Sequence, residues 1–191
     1  MSRISRTASW TFASAVVLSC GVAQAAGFTL SSPTAKPGAK LPDTHVFNSF
    51  GCSGKNVSPA LKWSGAPKDT KSFAVTVYDP DAPTGSGWWH WVVYNIPADA
   101  KELAAGAGSG KAELPAGAVQ GRTDFGAPGY GGACPPEGDK PHRYIFTVYA
   151  LKTDKIEVPE GASAAMVGYM THMNMLGEAK LTAKFGRPKA K

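Results

Sequence analysis

Residues 79–95 of this chain read DPDAPTGSGWWHWVVYN, and residues 71–78 before them read KSFAVTVY. The earlier segment alternates with a period of two and is rich in β-branched and aromatic side chains, which predicts a β-strand. Pro80 and Pro83 lack the amide hydrogen that a sheet ladder requires, so the strand must end near them. A glycine-rich turn then reverses the chain.

A second strand is predicted over residues 88–95, because its two faces are both apolar, as in a central strand. Strict alternation gives one face to Trp88, His90, Val92 and Tyr94 and the other to Trp89, Trp91 and Val93. Asp79 and Asp81 therefore lie in a stiff loop at a strand end, next to His90 at the beginning of the following strand. This placement indicates a functional site and not merely solvent-exposed polar side chains without a role.

A second histidine has a similar position later in the chain. The glycine- and proline-rich stretch GRTDFGAPGYGGACPPEG, residues 121–138, is interpreted as a shaped backbone wall for a ligand rather than as disorder. It leads to His142 and into YIFTVYAL, which has the period of a strand. His142 therefore lies at a strand entrance, in parallel with Asp79 and His90.

Residues 161–176, GASAAMVGYMTHMNML, predict a helix, because alanine and methionine replace β-branched residues and Ser163 can act as N-cap. Three methionines recur at i, i+4 and i+7: Met166, Met170 and Met173. We interpret this row as core packing and not as a metal site. Gly177 is expected to end the helix, and residues 178–185 alternate as a last strand.

Residues 1–25 are predicted to be a secretory signal peptide. A basic start is followed by an apolar run, too short to anchor the protein as a spanning helix, and by the small-x-small site Ala-Gln-Ala at 23–25. We therefore expect a single mature domain, residues 26–191, located in the periplasm or secreted. A lipid anchor on Cys20 is the alternative.

The charge of the mature chain is modest. Without the two arginines of the leader, 18 Lys and Arg stand against 14 Asp and Glu, a net charge of +4. The lysines are scattered and form no stripe with aromatics, which argues against nucleic-acid binding, and the basic C-terminal tail is interpreted as a frayed end. A homodimer is left open, on the Ala/Gly-rich excursion of residues 98–118 and the surplus of aromatics.

Two cysteines, Cys52 and Cys134, remain in the mature chain. In an oxidising compartment an even pair predicts a disulfide. The bridge would close a loop of about 80 residues and contribute on the order of 4 kcal/mol in the chain-entropy description. Two buried free thiols are the alternative.

Two motifs in this order, DPDAPTGSGWWHW at residues 79–91 and GACPPEGDKPHRY at residues 132–144, resemble the phosphatidylethanolamine-binding protein family, in its bacterial branch usually labelled Raf kinase inhibitor-like. The resemblance extends over residues 28–185. It implies a mainly β fold of two antiparallel sheets, sandwich-like, with a few peripheral helices. It also implies a small anion pocket at one end.

The family's pocket residues correspond to a defined set in this chain. They are Asp79, Trp88, His90, Pro135, Pro136, His142 and Tyr144. Asp81 and Pro83 are expected to shape the turn behind them. The family pattern departs at Cys134, where a side chain would narrow the mouth and a bridge to Cys52 would stiffen the wall.

The chemistry of this set suits a phosphate-bearing group. Both histidines are expected to donate an N–H, Tyr144 an O–H, and the loop amides can turn inward. Asp79 would repel an anion, and its expected role is to hold a histidine in the donor tautomer. The alternative is that Asp79 and Asp81 merely cap the turn while the histidines fill polar corners.

The sequence therefore predicts an exported, non-catalytic protein that binds a phosphate-bearing headgroup or another small anion and modulates a partner protein, without metal or cofactor. One alternative is a protein-interaction factor such as a protease or kinase inhibitor. Another is a metal-dependent hydrolase using Asp79, His90 and His142. No nucleophile lies in a recognisable local motif, which argues against an enzyme.

Overall fold

The computed structural model describes residues 27–189, so the predicted signal peptide and Cys20 lie outside the described residues. Eight strands and one α-helix follow one another in this range: β1 Thr29–Ser31, β2 Leu61–Ser64, β3 Ser72–Asp79, β4 Trp88–Pro97, β5 Glu102–Leu103, β6 Val119–Gln120, β7 His142–Leu151, α1 Ala164–Asn174 and β8 Met175–Phe185. Two short 3₁₀ turns lie at Asp43–His45 and Ala107–Ser109.

The strands form two antiparallel sheets, one ordered β1-β2-β5 and the other β6-β4-β3-β7-β8. The main core lies between them, where Trp63 and Leu103 of the small sheet join Phe73 and Phe146 of the large one. A smaller apolar cluster covers the opposite face of the large sheet beneath α1. The mainly β prediction with two antiparallel sheets is confirmed.

The alternation predicted for β4 was wrong beyond His90. The pairing with β3 skips this residue, because Trp91 and Trp89 face consecutive residues of β3. His90 is thus the extra residue of a β-bulge, which shifts the pattern by one position. The core between the sheets takes Trp91 and Val93, and the opposite face takes Trp89, Val92 and Tyr94.

The helix begins as predicted, with the Ser163 side chain accepting a hydrogen bond from the Met166 amide at 3.2 Å. It ends at Asn174 and not at Gly177, because β8 pairs with β7 from Met175 onward. The core role predicted for the methionine row holds for Met170, which packs against the smaller apolar cluster, and was wrong for the other two methionines. Met166 and Met173 are 45% and 58% exposed, and the buried face consists of Ala164, Val167 and Thr171.

Two substitutions on α1 test this assignment of faces. We expect Met173→Ala to change the free energy of unfolding by less than about 0.5 kcal/mol, as for an exposed side chain. Val167→Ala should cost about 2 kcal/mol, since two buried methyl groups are lost and a cavity remains. Urea unfolding of both variants measures the difference, and equal costs would mean that the methionine face is covered in solution.

Candidate functional site

A cavity of about 180 Å³ opens where β3 ends and where β4 and β7 begin. Antiparallel neighbours bring these three points to the same edge of the sheet. The cavity is lined by Phe50, Asp79, Ala82, Pro83, Thr84, Trp88, His90, Phe125, Cys134, Pro135, Pro136, His142 and Tyr144. The structure therefore places all seven sequence-predicted pocket residues around one cavity, together with Pro83 and Cys134.

Asp79 and His142 form a buried hydrogen-bonded pair. His142 Nδ1 lies 2.8 Å from Asp79 Oδ2, and Asp79 Oδ1 accepts a hydrogen bond from the Asp81 amide at 2.8 Å. Because a carboxylate only accepts, Nδ1 carries the hydrogen, and Asp79 fixes both the orientation and the tautomer of the ring. The other ring nitrogen, Nε2, lies 3.5 Å from Oδ2 of the exposed Asp139.

His90 is held by the backbone of the glycine-rich loop. Its Nδ1 lies 2.8 Å from the Gly131 carbonyl oxygen, and the Gly131 amide donates to the His90 carbonyl at 2.8 Å. The ring meets Tyr144 and Phe125 edge to face, with centroids 5.1 and 5.3 Å apart. Burial lowers the pKa of His90 below its ordinary 6.5. The neutral ring therefore contributes fully to stability above pH 6.5, and this contribution is lost as the pH falls from 6.5 through the lowered pKa.

Two buried donors, the Tyr144 hydroxyl and the Trp88 indole Nε1, have no hydrogen-bond partner among residues 27–189, and both residues line the cavity. Burial raises the pKa of the Tyr144 hydroxyl, which therefore keeps its proton. Buried polar groups in folded proteins are nearly always hydrogen-bonded, so two orphan donors on residues that line one cavity indicate a missing acceptor.

Asp81 lies outside the cavity and joins the β3–β4 loop to β7. Its carboxylate accepts hydrogen bonds from Arg143 Nε at 2.9 Å, Nη2 at 2.7 Å and the backbone amide at 2.8 Å. The Arg143 side-chain hydrogen bonds lower the pKa of Asp81 to about 2. The pair thus stabilises the fold above the ordinary pKa of 3.8, and the contribution is lost as pH falls through about 2.

The loop of residues 121–138 is anchored from the opposite side by Asn56, whose Oδ1 accepts a hydrogen bond from the Gly132 amide at 2.8 Å. A Cβ atom at Gly132 would lie 2.5 Å from the backbone of His45 and Phe47, so only glycine permits this approach. The loop is therefore a shaped wall, as its composition predicted.

The wall is also covalently fixed, since a disulfide joins Cys52 and Cys134 as predicted. Arg187 strengthens the same junction by donating to the Gly51 carbonyl at 2.9 Å and to the Pro135 carbonyl at 3.3 Å. The prediction of a frayed end was wrong for this residue. Its acceptors come from distant parts of the chain, and no local pattern in the sequence indicates them.

Sequence reasoning also missed the aromatic rim of the cavity. Phe50 is 67% exposed and adopts a positive φ of 54°. Its ring packs against Phe47 and Phe125, with centroids 5.5 and 5.8 Å away. A phenylalanine in a polar loop carries no motif, so only the folded geometry assigns it to the mouth.

Residues 27–189 contain neither a candidate metal cluster nor a helix that could span a membrane. No group of three His, Cys, Asp or Glu side chains in this range is placed to hold a metal ion. The same range contains no helix that is long and apolar enough to cross a membrane.

The fold and its end pocket define a β-sheet binding protein, and comparison with known proteins identifies the family. The family model described as phosphatidylethanolamine-binding protein matches residues 31–186, and the chain belongs to that family. It is 60% identical over 161 residues to the UPF0098 protein YbcL of Escherichia coli K12, covering 84% of this chain and 88% of YbcL.

A second relative and a solved structure agree. The UPF0098 protein YbhB of Escherichia coli K12 is 57% identical over 156 residues, which cover 82% of this chain and 98% of YbhB. The crystal structure of E. coli YbcL, described as a new member of the mammalian PEBP family, superposes with a TM-score of 0.81 at 58% identity. That match covers 84% of this chain and 99% of YbcL.

Proposed function

We propose that this chain is an exported, non-catalytic binding protein whose cavity takes a small phosphate-bearing anion, either free or as a lipid headgroup. The observation that carries the proposal is the pair of unpartnered buried donors, Tyr144 O–H and Trp88 N–H. An unsatisfied buried donor destabilises the folded protein by about 1–3 kcal/mol. A ligand rich in acceptor oxygens would remove this cost at both donors.

The apolar residues of the cavity suit the non-phosphate part of such a ligand. Phe50, Phe125 and the proline pair at 135–136 present an apolar rim that can hold an alkyl or glycerol portion. Export is supported by the leader-like residues 1–25 and is compatible with the Cys52–Cys134 bridge.

The hydroxyl and thiol chemistry around the cavity supports binding over catalysis. Thr84 Oγ1 already donates to the Gly87 carbonyl, at 2.5 Å. Cys134 is held in the disulfide, so its sulfur is not a free thiolate. Among residues 27–189, neither side chain is hydrogen-bonded to the base that an activated nucleophile needs.

Isothermal titration with phosphoethanolamine in phosphate-free buffer tests the proposal. We expect saturable binding by the parent protein and at least a tenfold loss in His142→Ala, on the order of 1.4 kcal/mol, because the variant removes a polar wall of the cavity. His142→Gln keeps more of the side-chain volume and should weaken binding less.

The matched control is His172→Ala, since His172 lies on α1 with Nδ1 2.7 Å from the Gly168 carbonyl, away from the cavity. Thermal melting confirms that each variant is folded. Unchanged affinity in His142→Ala would show that the site is misplaced. Absence of binding in the parent would overturn the anion proposal and favour a protein partner.

A further inference from the structure

The two ring nitrogens of His90 have different surroundings. Nδ1 faces the Gly131 carbonyl oxygen, which can only accept, so Nδ1 carries a hydrogen in every protonation state. The hydrogen bond of the His90 side chain within residues 27–189 is made by Nδ1 and none by Nε2, and His90 lines the cavity. Nε2 is therefore the atom that His90 offers to a ligand.

The protonation of Nε2 decides what it offers. Burial lowers the pKa of His90, so at neutral pH Nε2 carries a lone pair and acts as an acceptor. The sequence-based expectation that His90 donates an N–H is thereby corrected for neutral pH. A phosphate dianion carries no hydrogen, so its oxygens can only accept and cannot form a hydrogen bond with this lone pair.

The charged neighbours do not relieve this mismatch. On β3, both Asp79 oxygens are engaged, with His142 Nδ1 and the Asp81 amide. From the loop, Asp124 accepts from the Trp89 amide at 2.7 Å. On β7, Tyr144 offers its own O–H, and Asp139 beyond His142 adds a further negative charge. The opposite charges of Asp81 and Arg143 neutralise each other, and the pair lies outside the cavity.

We propose that the cavity binds its phosphate group with one proton attached, as the monoanion of a phosphomonoester or of inorganic phosphate. The P–OH donates to His90 Nε2, while other phosphate oxygens accept from the Tyr144 hydroxyl and the Trp88 indole. This inference rests on the proposed function and narrows it, because a phosphodiester headgroup has no P–OH and sulfate has none near neutral pH.

Inorganic phosphate and sulfate are tetrahedral anions of similar size, so their comparison by titration calorimetry at pH 6 separates the proton from the shape. We expect phosphate to bind at least tenfold more tightly than sulfate. Since the second pKa of phosphate monoesters lies near 6, phosphoethanolamine affinity should fall about tenfold per pH unit above that value, where the dianion predominates. Phosphoethanolamine titrations well above that pKa, in buffers of different ionisation enthalpy, should then show uptake of one proton per ligand.

Two variants assign the effect to the proposed atom. His90→Asn can retain an N–H for the Gly131 carbonyl but lacks the Nε2 acceptor, so the preference for phosphate over sulfate should fall to near unity. Tyr144→Phe removes a donor common to both ligands and should weaken both while keeping their ratio. If His90→Asn does not fold, the preference of the parent protein for phosphate over sulfate remains the deciding measurement, because a dianion bound to a protonated His90 would also take up one proton but would not discriminate against sulfate.

A phosphomonoester and a phosphodiester separate the two sources of ligand. Phosphoethanolamine should bind at least tenfold more tightly than glycerophosphoethanolamine, which would favour a free monoester over an intact lipid headgroup. Equal affinities for phosphate and sulfate, or for monoester and diester, would overturn the inference and leave the anion pocket standing. Failure of every anion to bind would overturn the proposed function itself.

Discussion

Loss of the Cys52–Cys134 disulfide is expected to lower the free energy of unfolding by about 4 to 5 kcal/mol. The bridge spans 82 residues, so the reduced, unfolded chain regains the entropy of a long loop. Guanidinium unfolding of the parent and of the double variant Cys52→Ser/Cys134→Ser measures the difference. A loss below about 1 kcal/mol would show that the denatured state retains the loop closure.

The same variant tests what holds the cavity wall. Arg187 still joins the Gly51 and Pro135 carbonyls across the missing bridge, and Asn56 still holds Gly132. We therefore expect the wall to stay folded and phosphoethanolamine affinity to fall only a few-fold. Arg187→Ala in the bridged protein is the matched control, because it removes the non-covalent contacts and keeps the disulfide.

The β-strands that carry the site were predictable because their signals are local. The period of two before Asp79 and after His142 marks β3 and β7, and Pro80 and Pro83 mark the end of β3. The bulge at His90 was not predictable, since aromatic residues on both faces of β4 conceal a shift of one position. That shift decides which side chains share the face of the cavity.

The buried face of helix α1 was not predictable from the sequence either. Its methionine row has the spacing of a core face, yet the small Ala164, Val167 and Thr171 face the sheet. The sequence shows which residues share a helix face but not which face the neighbouring sheet covers. The same limit applies to Arg143 and Arg187, whose partners lie 62 and up to 136 residues away.

Asp79→Ala is expected to lower the free energy of unfolding by roughly 2–5 kcal/mol, because it leaves two buried donors, His142 Nδ1–H and the Asp81 amide, without their acceptor. Asp79 itself is only 2% exposed, so water cannot readily replace the carboxylate. Urea unfolding measures the loss. A cost below about 0.5 kcal/mol would place Asp79 among ordinary surface turn residues.

Asp79→Asn separates the positioning role of this residue from its contribution to stability. The amide oxygen can still accept from the Asp81 amide, but its NH₂ group then faces His142 Nδ1, which must give up its hydrogen and accept. Neutral His142 should therefore change from the Nδ1–H to the Nε2–H tautomer, which ¹⁵N NMR shifts of the ring report directly. The stability loss should be smaller than in Asp79→Ala, since one hydrogen bond is kept and the other reversed. An unchanged His142 spectrum would mean that Asp79 does not set the tautomer and that the ring is oriented by its other contacts.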